Sequence, residues 1–402
     1  MSPAGDGPVV GSRPVPVRSS AFAVALAESN ELPTGFPPVL DSPLAWTGGQ
    51  FQKESEYVLQ LTKGHLQEIE AALVAFKELG LDGDLVSRDN FPLPTLKPEL
   101  TNLGRAIHSG RGFALVRGLN PQKMSVEDLT TVYMGIQSYM ADQQGRQDKK
   151  GNMLVHIIAD NSTEIKASHH RHSTSPIVKS WTDPLFLHGK QTTNDGLQTF
   201  HNEEAGDVVS WLTRSTAASG GKCIIASSYT VYNALAATRP DLLRVLARSD
   251  WPFALPQFHC RPVLFHHKGR VMTNFGRTAL MGSASHVRPA HLPKLNGAQV
   301  EALDAIETIA KATQLEITTQ AGDMHFINNL AILHRREGFV NGTSALEKRH
   351  LVRMRLRDEA LGWAIPEALL DEWNKAFDPR LTRVWHLEPM PDGYFPLRSQ
   401  SN

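Results

Sequence analysis

Between residues 220 and 329 the chain is cut into short β-prone runs, at 223–226, 263–266, 270–275, 315–318 and 324–327, each too short for a stable helix. Short strands cannot bury their apolar faces singly, so they must close into a barrel-like sheet or stack as two sheets. His267-Lys268-Gly269-Arg270 lies between two of the runs and reads as a hairpin turn, with Gly269 able to take a positive φ. Helical periodicity interrupts the strands twice, at 231–247 and at 300–312, where Val300, Leu303, Ile306 and Ala310 form a stripe. Upstream the pattern is helical. Residues 54–79 carry Leu66, Ile69, Leu73 and Phe76 on one face before Gly80, and 97–109 carry Leu100, Leu103 and Ile107. A strand at 113–117 follows the second helix. The expected class is α+β, a closed or sandwiched β core flanked by helices.

Composition narrows the function. With 402 residues, 41% of them hydrophobic, the chain can fill a sizeable core. Its 41 basic and 41 acidic side chains cancel, so no overall field draws it to nucleic acid or to an anionic membrane. No apolar run reaches the length of a transmembrane helix, and Cys223 and Cys260 are too few for a disulfide framework, which points to a cytoplasmic protein. Residues 1–20, rich in Pro, Gly and Ser, are expected to form a disordered tail. Residues 21–402 are expected to form one domain, helical over about 50–110, β-rich over about 111–357, and helical again at the C-terminal end. Homo-oligomerisation is left open.

The stretch richest in chemistry is Phe200-His201-Asn202-Glu203-Glu204. On an extended chain side chains alternate, so His201 and Glu203 point to one side. Two imidazoles and one carboxylate on one face, with positions left open, are what non-haem iron(II) requires. His334, at the end of a stretch from Gly322 that includes Asn328 and Asn329, can supply the second imidazole. Beyond it, Arg349 and Arg353 share parity, and guanidinium groups clamp carboxylates in bidentate fashion. The bland alternative is an edge strand whose odd positions are merely solvated. His169-His170-Arg171-His172 reads as a solvated loop, His325 as a core histidine, and His266-His267 as surface. Neither a nucleotide-binding glycine motif nor a nucleophile elbow occurs.

Taken together, several motifs resemble the TauD/TfdA (taurine dioxygenase-like) family of iron(II) and 2-oxoglutarate oxygenases, in particular its fungal, clavaminate synthase-like members, over about residues 91–375. They are His201-x-Glu203, Ala-Ala-Ser-Gly-Gly at 217–221, Gly-Asp-Met-x-Phe-x-Asn-Asn followed by His334, and the Arg349/Arg353 pair. The resemblance implies a double-stranded β-helix (jelly-roll) core and a metal held by His201, Glu203 and His334. It also implies that Arg349 holds the distal carboxylate of 2-oxoglutarate, and Arg353 the same molecule or an acidic group of the substrate. The chain departs from the family in three ways. Glu203 replaces the commoner Asp, Cys223 stands where a hydroxyl residue usually meets the co-substrate, and residues 173–199 form an unusually long polar stretch.

The activity so implied consumes dioxygen and 2-oxoglutarate, releases succinate and carbon dioxide, and oxidises an unactivated C–H bond of a small metabolite by hydroxylation, desaturation or cyclisation. A carboxylate-bearing substrate of secondary metabolism is expected from the fungal relatives. Two other readings use the same residues, a metal-dependent hydrolase and a non-catalytic jelly roll that binds a small acid.

Overall fold

The computed structural model describes residues 31–158, 199–283 and 287–389; the expectations for 1–20, for 169–172 and, save its last residue, for 173–199 lie outside the described residues. A large sheet orders its strands as Val58–Gln60, Phe113–Arg117, Met324–Asn328, Val208–Ser215, His350–Arg357 and Gln143–Gly145, with Val155–Ile158 also paired to His350–Arg357. Every pairing in it is antiparallel except the first. A small sheet sets Cys223–Ser227 between Leu315–Ile317 and Ile332–Arg336. Met324–Asn328 belongs to the large sheet and Ile332–Arg336 to the small one, so the turn at 329–331 carries the chain from one to the other. Two facing antiparallel sheets with helices on their outer faces match the expected jelly-roll core.

Strand alternation decides what each side buries. Val209, Trp211, Ile327 and Leu351 face the small sheet and pack with its Ile225 and Ile332. Their neighbours Val208, Leu212, Phe326, Val352, Met354 and Leu356 point outward into helical side chains such as Leu73, Leu100 and Tyr133. The outer face of the small sheet, through Ile224, Ala226 and Leu333, packs on residues of helices Ser228–Thr238, Pro240–Leu246 and Gly297–Thr313. His350–Arg357 is therefore a central strand covered on both faces. The edge-strand alternative fails because pairing on both sides hides its odd positions, and Arg353 is 1% exposed.

Two helices differ from the periodicity reading. Instead of one helix over 54–79, a strand at Val58–Gln60 pairs in parallel with Leu115–Arg117, and the helix runs Lys63–Glu78. Thr62 resets the start, since its hydroxyl accepts the His65 N–H at 3.2 Å while His65 Nδ1 accepts the Thr62 N–H at 3.3 Å. The segment 231–247 is two helices, because Pro240 has no N–H and disfavours helical backbone at Arg239. The hairpin at 267–270 forms as expected, with Lys268 at φ 48° and Gly269 at φ 74°. No helix among the described residues is long and apolar enough to cross a membrane.

Candidate metal and co-substrate site

His201 and His334 face each other as a hydrogen-bonded antiparallel pair: each N–H donates to the other's carbonyl at 3.0 Å. Residues so paired project their side chains to one side, and the ring centroids lie 4.5 Å apart. Glu203 joins them, with Oε1 4.0 Å from His201 Nε2 and 3.4 Å from His334 Nε2. The three ligand atoms lie within 4.8 Å of one another, and all three residues are buried. His334 sits in the middle of the strand Ile332–Arg336, and the chain leaves regular structure just after His201.

Alternation alone therefore does not aim Glu203; two asparagines do. Asn329 Oδ1 accepts the Glu203 N–H at 2.8 Å, and its Nδ2 reaches the carbonyls of Glu203, Glu204 and Gly206 at 3.2, 3.1 and 3.0 Å. Asn202 Nδ2 donates to the carbonyls of Asn329 and Ile332 at 2.7 and 3.1 Å, while its Oδ1 accepts the Phe275 N–H at 3.1 Å. Both asparagines are buried, so this backbone turn is held by side chains where no ladder exists. The sequence reading assigned neither of them a role. The only signal was the density of Asn beside the candidate ligands.

The protonation states suit a cation. His201 Nδ1 lies 3.0 Å from the Thr199 carbonyl, which places its proton there and the lone pair on Nε2. Burial, and then the Arg353 charge, pull His334 down to about 3, so it is neutral at physiological pH. Neutral imidazoles are the form that ligates, and together with one carboxylate they fit a first-row divalent cation.

The remaining predicted residues line the same cavity. Arg353 Nη1 is 2.5 Å from Glu203 Oε2, and its Nη2 donates to Gln147 Oε1 at 3.2 Å. Arg349 lies at the other end, its guanidinium 5.4 Å from the Phe339 ring; burial, and then the charge of Arg336, lower it to about 9. The Gly-Gly element beside it needs glycine for its backbone, not to make space for the guanidinium. Gly220 and Gly221 have φ of +71° and +81°; a Cβ on Gly220 would meet the Gly338 carbonyl oxygen at 2.3 Å, and one on Gly221 would touch Arg349 Cδ at 3.4 Å. Cys223 begins the adjacent strand, and burial pushes its thiol up to about 12, so it is a protonated, weak donor. His325 is a core residue, stacked on Trp211 at 5.1 Å, and Trp211 is in turn 5.7 Å from His334.

Comparison with known proteins gives one consistent answer. The family described as Taurine catabolism dioxygenase TauD, TfdA family matches residues 76–355. A taurine hydroxylase-like protein, SAT17, of Stachybotrys chartarum (strain CBS 109288 / IBT 7711) is 32% identical over 358 residues, covering 88% of this chain and 89% of that protein. Among solved structures, asparagine oxygenase (AsnO) shares 16% identity at a TM-score of 0.54, covering 78% of this chain and 100% of its own. The non-heme iron oxygenase OrfP in complex with Fe and alpha-ketoglutaric acid shares 15% at 0.50, covering 75% and 94%. At such identities the two structures establish likeness of fold.

Proposed function

The chain belongs to the TauD/TfdA family of non-haem iron(II) and 2-oxoglutarate dependent oxygenases, and on that footing we propose that it oxidises an unactivated C–H bond of a small acidic metabolite at His201, Glu203 and His334. The observation that carries the site assignment is the meeting of these three ligand atoms within 4.8 Å at the wall of the cavity that also holds Arg349. When bound, iron(II) would activate dioxygen as the oxidant, with 2-oxoglutarate supplying two of the electrons and leaving as succinate and carbon dioxide.

The chain's own residues bind, orient and exclude. Arg349 is partly buried, and no carboxylate of a described residue compensates it. It suits the far carboxylate of 2-oxoglutarate, and a dicarboxylate is drawn in by a guanidinium that burial has made costly to leave alone. The Cys223 thiol beside it is at most a weak hydrogen-bond donor. Trp211, Leu351 and Ile157 give the cavity apolar walls that keep bulk water from the reacting centre.

The substrate's acidic character is inferred from charge. Lys222, Arg335, Arg336, Arg349 and Arg353 all line the cavity, where Glu203 is the one acidic residue among the described lining residues. Lys222 is paired with Glu316 at 2.9 Å and Arg353 with Glu203, while Arg336 is close enough to depress Arg349. A second anion beside 2-oxoglutarate would suit this largely cationic lining. Solved neighbours were crystallised with hydroxyasparagine and with a hydroxy-arginine, and an amino acid-like acid would fit the same charge pattern. Hydroxylation is the default outcome.

The test is anaerobic titration with iron(II) and then 2-oxoglutarate, following the weak visible charge-transfer band of the chelate. The wild type should develop it at one equivalent, and His201→Ala should not. An equal band in that variant refutes the ligand set.

A further inference from the structure

We infer that Arg336 gives the far carboxylate of 2-oxoglutarate a second guanidinium, shared with Arg349, in place of the hydrogen bond that a hydroxyl at position 223 would donate; the inference rests on the site proposed above. Arg336 ends the strand Ile332–Arg336, two residues beyond His334, so its side chain leaves the sheet on the same face as the His334 imidazole. It lines the same cavity as Arg349. Its direct partner in the antiparallel ladder is Cys223, and residues so opposed carry their Cβ atoms on one face, about 4.5–5.5 Å apart. The site thus has a thiol where a hydroxyl is expected, and a guanidinium directly across the ladder from it.

One aromatic ring sets both arginines. The guanidinium of Arg336 lies 4.6 Å from the centroid of Phe339, and that of Arg349 lies 5.4 Å from the same centroid. Arg336 Nη1 also donates to the Glu337 carbonyl at 3.3 Å. Burial lowers Arg336 to about 10; burial, and then the Arg336 charge, lower Arg349 to about 9, so both stay protonated at neutral pH. Two like charges held this close favour an anion between them. A carboxylate suits the place, because its two oxygens have lone pairs enough for donors from both guanidiniums. Those bonds are charge-assisted and roughly twice as strong as the bond from a neutral hydroxyl. A clamp of this kind reads only the far end of the dicarboxylate. It therefore separates 2-oxoglutarate from 2-oxopentanoate, which has a methyl group in place of that carboxylate.

The decisive measurement is anaerobic titration of the iron(II)-loaded protein with 2-oxoglutarate and, separately, with 2-oxopentanoate, each read from the chelate band. Wild type, Arg336→Gln, Arg336→Lys and Arg349→Gln are compared, with folding checked by thermal melting and iron(II) affinity measured beforehand. A shared clamp predicts that Arg336→Gln weakens 2-oxoglutarate binding by about 10–50-fold, while 2-oxopentanoate and iron(II) affinities stay within about twofold. Arg336→Lys, which keeps the charge but not the planar fork, should fall between Arg336→Gln and wild type. Affinity of Arg336→Gln for 2-oxoglutarate within about twofold of wild type overturns the inference and leaves Arg336 to the substrate. Equal weakening of both oxo acids, or weakened iron binding, also overturns it, since the far carboxylate is then not what Arg336 reads. Should Arg336→Gln not fold, Arg336→Lys decides, and 2-oxoglutarate affinity equal to wild type overturns the inference. A wild type without the band, or Arg349→Gln that binds 2-oxoglutarate as wild type does, removes the site reading itself, a result distinct from any of these.

Discussion

Among the described residues two pairs of histidines meet across strands, and in only one of them do the rings converge on a carboxylate. The rings of His201 and His334 are 4.5 Å apart, with both Nε2 atoms turned to Glu203. Those of His156 and His350 are 5.2 Å apart, but His156 Nδ1 is 2.9 Å from His350 Nε2, and His156 Nε2 is 2.6 Å from the His386 carbonyl. The second pair is a hydrogen-bond relay: His350 donates to His156, which donates to the backbone. Burial keeps both of its rings neutral, pulling His156 to about 4 and His350 well below its ordinary value. Proximity of imidazoles is thus not the signature of a metal site. What counts is whether the lone pairs converge with an acid or are consumed by one another.

The largest expected effect breaks the first pair. His334→Ala should cost roughly a thousandfold or more in iron(II) affinity, whereas His156→Phe should leave that affinity within about twofold. Isothermal titration under nitrogen separates the two, and equal losses would erase the distinction drawn here.

Next in size is the response to acid of the metal-free protein. Unfolded His156 takes up a proton below its ordinary value near 6.5, but the folded ring resists until about 4. Stability is therefore complete above pH 6.5 and is lost as the pH falls toward 4, by up to roughly 3 kcal/mol from this ring. Urea midpoints across that range should slope more gently in His156→Phe, and a parallel slope would put the titration elsewhere.

A smaller effect is the stability of that variant at neutral pH. It leaves the His350 donor and the His386 carbonyl without the partner they share, at a cost of about 1–3 kcal/mol. A melting temperature unchanged from wild type would mean that the relay contributes nothing. The smallest effect sharpens the metal side: Asn329→Ala should lower iron affinity about tenfold by loosening the turn that aims Glu203, without touching the 156/350 pair. An affinity equal to wild type would show that the turn holds without its asparagine.

The three residues that meet as candidate ligands were legible because their chemistry is rare and their motifs are local: an acid two residues after a histidine, and a second histidine beyond a Gly-Asp turn and an Asn-rich stretch. The strand runs at 223–226 and 324–327 were legible too, ending within a residue of the observed Cys223–Ser227 and Met324–Asn328. Val58–Gln60 was not, because its three residues fit a helical stripe equally well and only pairing with Leu115–Arg117 makes them a strand. The asparagines were noted but given no role, for a similar reason. Their partners are backbone carbonyls and amides, which carry no residue-type signal.

By itself, the sequence determined which chemical groups are present and which local periods they follow: a β-rich core, two candidate imidazoles, one acid and a pair of arginines. Only the tertiary structure decided that His201 and His334 are direct backbone partners, that the closing strand is central rather than at an edge, and that Arg349 and Arg353 line one cavity, with Arg353 beside the Glu203 carboxylate. The reason is physical. Residue type and period are local properties, whereas register between distant strands is set by how two whole faces bury together, and a shift of one residue would turn every one of these side chains away.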